Sequence, residues 1–415
     1  MKFDPVLRRF FYLCAVFSTT CLSASTIDSS EDIDQKDINA VREWINSKRQ
    51  VTVRELGGAL SISGEVRTEF QSTAEVLNGI KQRGHGGPIV KDGFPLPQNA
   101  FDIEVNLMLD YRTEGSWGSI KLEFDNDAGI ESGSLNKLKV ERAYWGVRAL
   151  EGDTYSFDVE AGRRRMSTIV DSKIEFNNFF DGLWFRYDQS YDAIGDLYLH
   201  AGVFIINENK NHFGYLGELG IYNVGGTGLY TKYSLLDWDT KDLHNRLLNK
   251  RFDFLVSQLI FGYKFLPTRL QKIVQIYLAG LWNSNAKKRE ITNHKRANWG
   301  AYLGVSIGEL KKKGDWAFDI NYQVLAAQCV PDFDVQGIGL GNATNSGFYA
   351  NGNVANTRRT AAGSVNYRGF IMTLDYLLTN QLNMQQSWQQ SITLDTSIGP
   401  FRRYKQYEIE FIYGF

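Results

Sequence analysis

The sequence of 415 residues is poor in residues that cross-link or interrupt a chain, with only 3 cysteines and 7 prolines. It also lacks any apolar run that approaches the roughly 18 residues a membrane-spanning helix needs. The formal net charge is −1, so neither a nucleic-acid partner nor a polybasic membrane anchor has an electrostatic basis. These absences exclude helical membrane insertion and argue against nucleic-acid binding.

The first 25 residues have the pattern of a secretory signal peptide. Basic residues come first, an apolar core follows, and small residues end the segment: Lys2, Arg8 and Arg9, then 10–17, then 18–25. Cleavage near residue 25 removes Cys14 and Cys21 and leaves Cys329 as the single thiol. The exported chain is therefore not held together by internal disulfides.

Residues 26–57 form a separate N-terminal segment. Between Asp37 and Lys48, apolar residues recur at helical spacing: Ile38, Val41, Trp44 and Ile45. This spacing predicts a short periplasmic helix. Two interpretations stay open, a helix that lies at the mouth of the main domain and a helix that makes a coiled-coil or cell-wall contact.

The last residues of the chain alternate between two kinds of side chain. One side is apolar and rich in aromatic rings: Tyr407, Ile409, Phe411, Tyr413 and Phe415. The other side is mostly polar: Gln406, Glu408, Glu410, Ile412 and Gly414. A period of two is that of a β-strand with one apolar and one wet face. Such a strand would aggregate as an uncovered edge in water, whereas a closed barrel in lipid removes the edge.

The same alternation recurs from Gly58 to the end of the chain. In the segment Phe101–Tyr111, for example, apolar residues at odd positions alternate with Asp102 and Glu104. Around Leu138–Ala149 the alternation changes parity, which predicts a β-bulge. About sixteen such segments occur, and a charged face on each is compatible with a wide barrel that contains water.

The connections between these segments alternate between long and short. The long ones lie near 71–100, 126–136, 164–178, 206–213, 237–251, 283–297 and 326–363. The short ones lie near 113–116, 151–153, 189–193, 225–228, 266–270, 309–314 and 379–382, and the last connection, near 397–402, is also short. Outer-membrane barrels have short periplasmic turns and long external loops, whereas soluble sandwiches and propellers have no such rhythm. The sequence therefore predicts an all-β fold, a transmembrane antiparallel β-barrel over 58–415 with both termini in the periplasm.

On these features the sequence resembles the Gram-negative outer-membrane porin family, the sixteen-stranded barrels of the general and carbohydrate-selective types. The resemblance rests on the signal segment, the strand and loop rhythm, and the ending Tyr413-Gly414-Phe415. It implies a passive diffusion channel in the outer membrane for small hydrophilic solutes, which are ions or sugars. It also implies contact with lipid and lipopolysaccharide, a terminal aromatic signal for the barrel-assembly machinery, and a homotrimer as one permitted assembly.

In porins of this design the third external loop folds inward and narrows the channel. The resemblance implies the same for residues 164–178, with these charged members: Arg164, Arg165, Asp171, Lys173 and Glu175. Strand parity suggests these basic partners on the pore wall: Arg112, Lys121, Arg142, Arg148 and Arg186. Fixed charges at a constriction select ions by sign. The alternative for each residue is an ordinary solvated charge paired with a carboxylate such as Glu104, Glu123 or Glu160.

Aromatic residues on the water-facing parity have two interpretations: Trp184, Tyr198, Tyr222, Tyr230 and Tyr302. They could form a stacking path for sugars, or they could pack beneath loops and in the aromatic girdles at the membrane surface.

Other functions fit the sequence less well. The five histidines have no serine elbow or metal-ligand spacing, so neither an enzyme nor a cofactor is predicted. The main alternative function is a structural or adhesive barrel whose large external loops bind a partner and whose lumen is closed. A basic loop at 287–296 is either a contact for lipopolysaccharide phosphates or simply solvated.

Overall fold

The computed structural model describes most of the chain from residue 51 onward. The described residues are 51–55, 58–85, 87–88, 90–91, 94–95, 97–127, 137–208, 212–238, 254–288, 292–331, 334–336, 338 and 365–415. The predicted signal peptide at 1–25 and the predicted helix between Asp37 and Lys48 lie outside these residues.

Sixteen strands of the described residues form the barrel, which confirms the number expected from the alternation. They are β1 Gly58–Leu77, β2 Asn99–Arg112, β3 Ser116–Asp127, β4 Lys137–Glu151, β5 Tyr155–Arg165, β6 Phe179–Tyr191, β7 Gly195–Asn207, β8 His212–Tyr222, β9 Leu229–Trp238, β10 Phe254–Phe265, β11 Val274–Asn283, β12 Trp299–Ile307, β13 Trp316–Leu325, β14 Tyr367–Leu377, β15 Leu382–Thr393 and β16 Arg402–Gly414. Shorter strands accompany them at Val51–Glu55, Ile80–Lys81, Val90–Lys91 and Phe94–Pro95, with 3₁₀ turns at Met166–Thr168 and Val224–Gly226. No helix in the described residues is long and apolar enough to cross a membrane.

Each barrel strand pairs antiparallel with its neighbours in the chain, and β1 closes the barrel by pairing with both β2 and β16. At the closing seam, Gly64 and Phe415 exchange two backbone hydrogen bonds, of 3.0 and 2.9 Å. The short strand Val51–Glu55 pairs with the beginning of β1, in the register Val51 to Ile62. Closure leaves no unpaired barrel edge, as a sheet in lipid requires.

Side chains alternate between an apolar outer face and an inner face that is packed or polar. In one outward row across β10, β11 and β12, the exposed fractions are 48% for Phe261, 49% for Leu278 and 56% for Leu303. Their inward neighbours Ala279 and Tyr302 are only 3% and 4% exposed. An outer surface this apolar belongs in a bilayer, so the protein is a transmembrane β-barrel.

The predicted parity change in β4 is a bulge. Lys121 pairs with Arg142, but the next residue, Leu122, pairs with Val140, so Glu141 is the extra residue.

The short turns depend on residues that tolerate positive φ angles. In the turn between β8 and β9, Asn223, Gly225 and Gly226 adopt positive φ angles of 50°, 57° and 71°, which glycine and asparagine accommodate best.

Candidate channel constriction

The connection between β5 and β6, residues 166–178, is the third long connection of the barrel and is called loop L3 here. It begins with the 3₁₀ turn Met166–Thr168. Apolar side chains recur along it, and Met166, Ile174 and Phe176 are at most 1% exposed. They join one hydrophobic cluster with inward-facing wall residues such as Trp184 and Phe204. The hydrophobic effect therefore holds L3 against the wall.

Polar contacts fix where L3 lies. Asp171 pairs with Lys232 of β9 at 3.2 Å, and Lys173 pairs with Asp319 of β13 at 3.3 Å. The amide of Gln258 in β10 donates to the backbone oxygen of Asp171 at 2.9 Å. Lys232, Gln258 and Asp319 all stand on the inward face of their strands. Loop L3 therefore lies inside the barrel, across the lumen side of β9, β10 and β13.

A second loop packs on L3. The connection between β13 and β14, residues 326–366 and here called loop L7, contributes Asp334. The Asp334 carboxylate accepts hydrogen bonds from the Phe176 backbone N–H at 3.1 Å and from Asn178 Nδ2 at 2.8 Å. The Gln336 N–H of L7 also donates to the Ile174 oxygen at 2.6 Å.

This contact encloses two carboxyl groups. Glu175 is 1% exposed and Asp334 is 0% exposed, and Glu175 Oε1 has no hydrogen-bond partner. Burial raises the pKa of Asp334 to about 7. Burial, and then the charge of Asp334, raise the pKa of Glu175 well above its ordinary value. The pair is stable when protonated, because two like charges in an enclosed site repel each other.

The inward aromatic residues lie beneath L3. Trp184, Tyr198, Tyr230 and Tyr302 are between 1% and 5% exposed, whereas Tyr222 is half-buried. Ring centroids of Tyr198 and Tyr222 are 5.4 Å apart, and those of Tyr222 and Tyr230 are 5.8 Å apart. Rings this deeply buried support the loop and leave little face for a passing solute.

The wall formed by β16, β1 and β2 is different, because it is polar and acidic. Glu410, Glu69 and Asp102 stand directly opposite one another in a single row across these strands. In the next row, Arg67 pairs with Glu104 at 3.8 Å, and its side chain also reaches Glu410 of the first row at 3.4 Å. The Glu104 side chain remains 30% exposed and that of Arg67 18% exposed. This part of the lumen wall is therefore polar and partly exposed.

The predicted pore residues occupy several distinct places. Arg164 and Arg165 are the last residues of β5, not part of the loop. Arg164 pairs with Glu160, and Arg165 pairs with Glu141 at 2.6 Å. Within L3, Asp171 and Lys173 retain partial exposure, of 36% and 32% for their side chains, whereas Glu175 is buried.

The predicted basic wall is largely neutralised by neighbouring carboxylates. Lys121 pairs with Glu141. Arg148 pairs with Asp158 at 3.0 Å, and Arg186 pairs with Asp188 at 3.2 Å. Arg142 Nη2 lies 3.5 Å from the sulfur of Met108, and Arg112 is exposed beside a short turn.

The acidic row and the anchors of L3 did not emerge from the sequence. Glu69, Asp102 and Glu410 each stood on a water-facing parity, but they belong to the first two strands and the last one. Pairing of the first two strands places Asp102 beside Glu69, and barrel closure, which was itself predicted, adds Glu410. Lys232 and Asp319 carried no comparable signal.

Comparisons with known proteins agree with this architecture. The sequence matches no family model and no curated protein. Among solved structures, Pseudomonas putida OprB in its high-pH structure matches with a TM-score of 0.51 at 7% identity, over 86% of this chain and 94% of that chain. The chain has the fold of a bacterial porin.

Two other solved structures align with this porin fold at lower TM-scores. Salmonella typhi OmpF, in its complex with daunomycin, has a TM-score of 0.48 at 13% identity, over 88% of this chain and 100% of that one. The outer membrane channel DcaP of Acinetobacter baumannii has a TM-score of 0.46 at 11% identity, over 87% and 99%. At such identities the likeness concerns the fold alone.

Proposed function

We propose that the protein is a passive diffusion channel of the outer membrane for small hydrophilic solutes, and not an enzyme. The observation that carries this proposal is the asymmetric lumen. Loop L3 packs on one part of the wall through an apolar core, while the wall of β16, β1 and β2 stays polar and partly exposed. A solute path along the polar wall needs no moving part and no energy source. Asp171 and Lys173, on the partly exposed side of L3, line its narrow zone in this proposal.

The preferred solutes are small cations. Carboxylates outnumber basic residues on the inward positions of β16, β1 and β2, and low-dielectric walls concentrate counter-ions in such a passage. Sugars are less well supported, because the inward aromatic rings lie beneath L3 and not along the polar wall.

Conductance in planar bilayers tests the channel itself. The purified protein should produce discrete current steps, and under a KCl gradient the reversal potential should have the sign of a cation-preferring pore. A barrel with a closed lumen, the adhesive alternative, would produce no steps.

The double variant Glu69→Gln with Asp102→Asn tests the path of the ions. It removes two carboxyl groups while keeping side-chain volume, so the cation-to-anion permeability ratio should fall by about twofold or more, with a smaller change in conductance. Glu151→Gln is the matched control, because Glu151 is 62% exposed beside a short turn. A reversal potential that the double variant leaves unchanged would show that the ions do not pass the acidic row.

The proposal extends to assembly and partners. The terminal aromatic row Tyr407, Ile409, Phe411, Tyr413 and Phe415 serves as the signal for the barrel-assembly machinery, and the lipid partner includes lipopolysaccharide. A homotrimer is the assembly that the porin resemblance suggests.

A further inference from the structure

Three basic side chains point away from the barrel axis at the end that carries the long loops. They are Arg368, near the start of β14, and Arg403 and Lys405, near the start of β16. All three are exposed, whereas Tyr404 and Gln406, which alternate with the two β16 cations, are buried on the inner face. The three cations therefore project from the outer surface of the barrel.

Their height on the barrel is set by the apolar residues below them. Outward positions of β16 from the short-turn end are Phe415, Tyr413, Phe411, Ile409 and Tyr407, and only then Lys405 and Arg403. At about 3.3 Å per residue and a strand tilt of about 40°, the apolar part is roughly 20 Å tall. This is close to the apolar band of membrane barrels, so the cations lie at the level of lipid headgroups.

The three side chains are close enough to share a ligand. Arg368 and Arg403 flank Ile392 in one row across β14, β15 and β16. Their Cα atoms are therefore about 10 Å apart, and Lys405 lies about 7 Å from Arg403 along the same strand. Long, flexible basic side chains span such distances and can converge on one or two phosphate groups.

The group also lacks a counter-charge. Within the described part of the chain, none of the three cations makes an ion pair, and their neighbours on the outer face are neutral residues such as Val76, Gln390 and Ile392. Another outward cation at the loop end does have a counter-charge. Arg163 of β5 forms a two-point ion pair with Asp181 of β6, with both hydrogen bonds at 2.7 Å.

We propose that Arg368, Arg403 and Lys405 form a binding site for the phosphate groups of lipid A in the outer leaflet. Guanidinium and ammonium groups at the headgroup level suit phosphate oxygens through charge-assisted hydrogen bonds. Because the loop end must face the outer leaflet, the inference rests on the proposed outer-membrane channel and its orientation.

Lipid binding to the purified, folded barrel tests this site. Native mass spectrometry in detergent counts the lipid A molecules retained as lipid concentration rises. The triple variant Arg368→Gln, Arg403→Gln, Lys405→Gln should bind bis-phosphorylated lipid A roughly tenfold more weakly or worse. The matched control is Lys311→Gln, Lys312→Gln, Lys313→Gln, which removes three exposed cations at the short-turn end and should bind as the unmodified protein does. Retention of the folded, heat-modifiable form on gels verifies that each variant is intact.

Further arms separate the ligand sources. Lipid A stripped of both phosphates should bind the unmodified protein and the triple variant equally, and millimolar inorganic phosphate should not displace bound lipid A. Equal affinity of the unmodified and triple-variant proteins for bis-phosphorylated lipid A would overturn the proposal. So would full displacement by free phosphate, or a changed oligomeric state with unchanged lipid binding, which would indicate a subunit interface. The triple variant should keep the conductance of the unmodified channel, so failure of this site is distinguishable from failure of the channel proposal.

Discussion

At the scale of single residues, the contact between L3 and L7 depends on protonation. Both Glu175 and Asp334 bind a proton more tightly in the folded protein than in the unfolded chain, since burial raises both pKa values. The stability of the contact is therefore full below the ordinary carboxyl pKa of about 4. It falls as the pH rises from there through about 7, where Asp334 loses its proton in the folded protein.

We expect Glu175→Gln to strengthen this contact at pH 8 and to have little effect at pH 5. The substitution removes an ionisable group beside the Asp334 carboxylate, and a relief of one pKa unit corresponds to about 1.4 kcal/mol. Hydrogen–deuterium exchange of the Phe176 and Gln336 amides, whose hydrogen bonds join the two loops, measures the effect. Variant and unmodified protein are compared at the same pH, because intrinsic exchange itself depends on pH. Glu151→Gln serves as the control, and equal protection at pH 8 in Glu175→Gln and the unmodified protein would contradict the argument.

At the scale of elements, the strands could be predicted and the loop contacts could not. A period of two is a local property, so β16 and the bulge in β4 were visible in short stretches of sequence. The partners of L3 were not, because Asp171 meets Lys232 and Lys173 meets Asp319 across distances of tens to more than a hundred residues in the chain. Nothing local to residues 166–178 indicates which wall strands they will face. The burial of Glu175 has the same origin, since it requires Asp334 and the rest of L7.

The final strand offers the clearest test at this scale. Phe415 is 43% exposed on the outer face, and its ring lies over Gly64, where an added Cβ would come within 2.5 Å of it. Phe415 also closes the barrel through its backbone bonds to Gly64. Deleting Phe415 should therefore lower the amount of folded, heat-modifiable protein recovered from the outer membrane. Phe401→Ala is the control, because Phe401 is similarly exposed but precedes β16. Equal recovery of the Phe415 deletion and the unmodified protein would argue against an assembly signal at this end.

At the scale of the whole molecule, the barrel has two unlike ends. One end has short turns such as 113–115, 152–154 and 192–194, and the other has the long connections that include L3, L7 and residues 284–298. Short turns face the periplasm in outer-membrane barrels, because the chain is inserted from that side. The lipid A site depends on this orientation, so a test of the orientation bears directly on that proposal.

Single-cysteine labelling makes that test. Lys287→Cys places an exposed thiol on the long connection 284–298, and Ala193→Cys places one on the short turn 192–194. A membrane-impermeant maleimide too large to pass the channel should label Lys287→Cys on intact cells and Ala193→Cys only after the outer membrane is permeabilised. The unmodified chain supplies the background, which should be low because Cys329 is fully buried. Labelling of Ala193→Cys on intact cells, with Lys287→Cys protected, would show that the barrel has the opposite orientation in the membrane. The cations Arg368, Arg403 and Lys405 would then face the inner leaflet, where lipid A is absent, and the proposed site would lose its ligand.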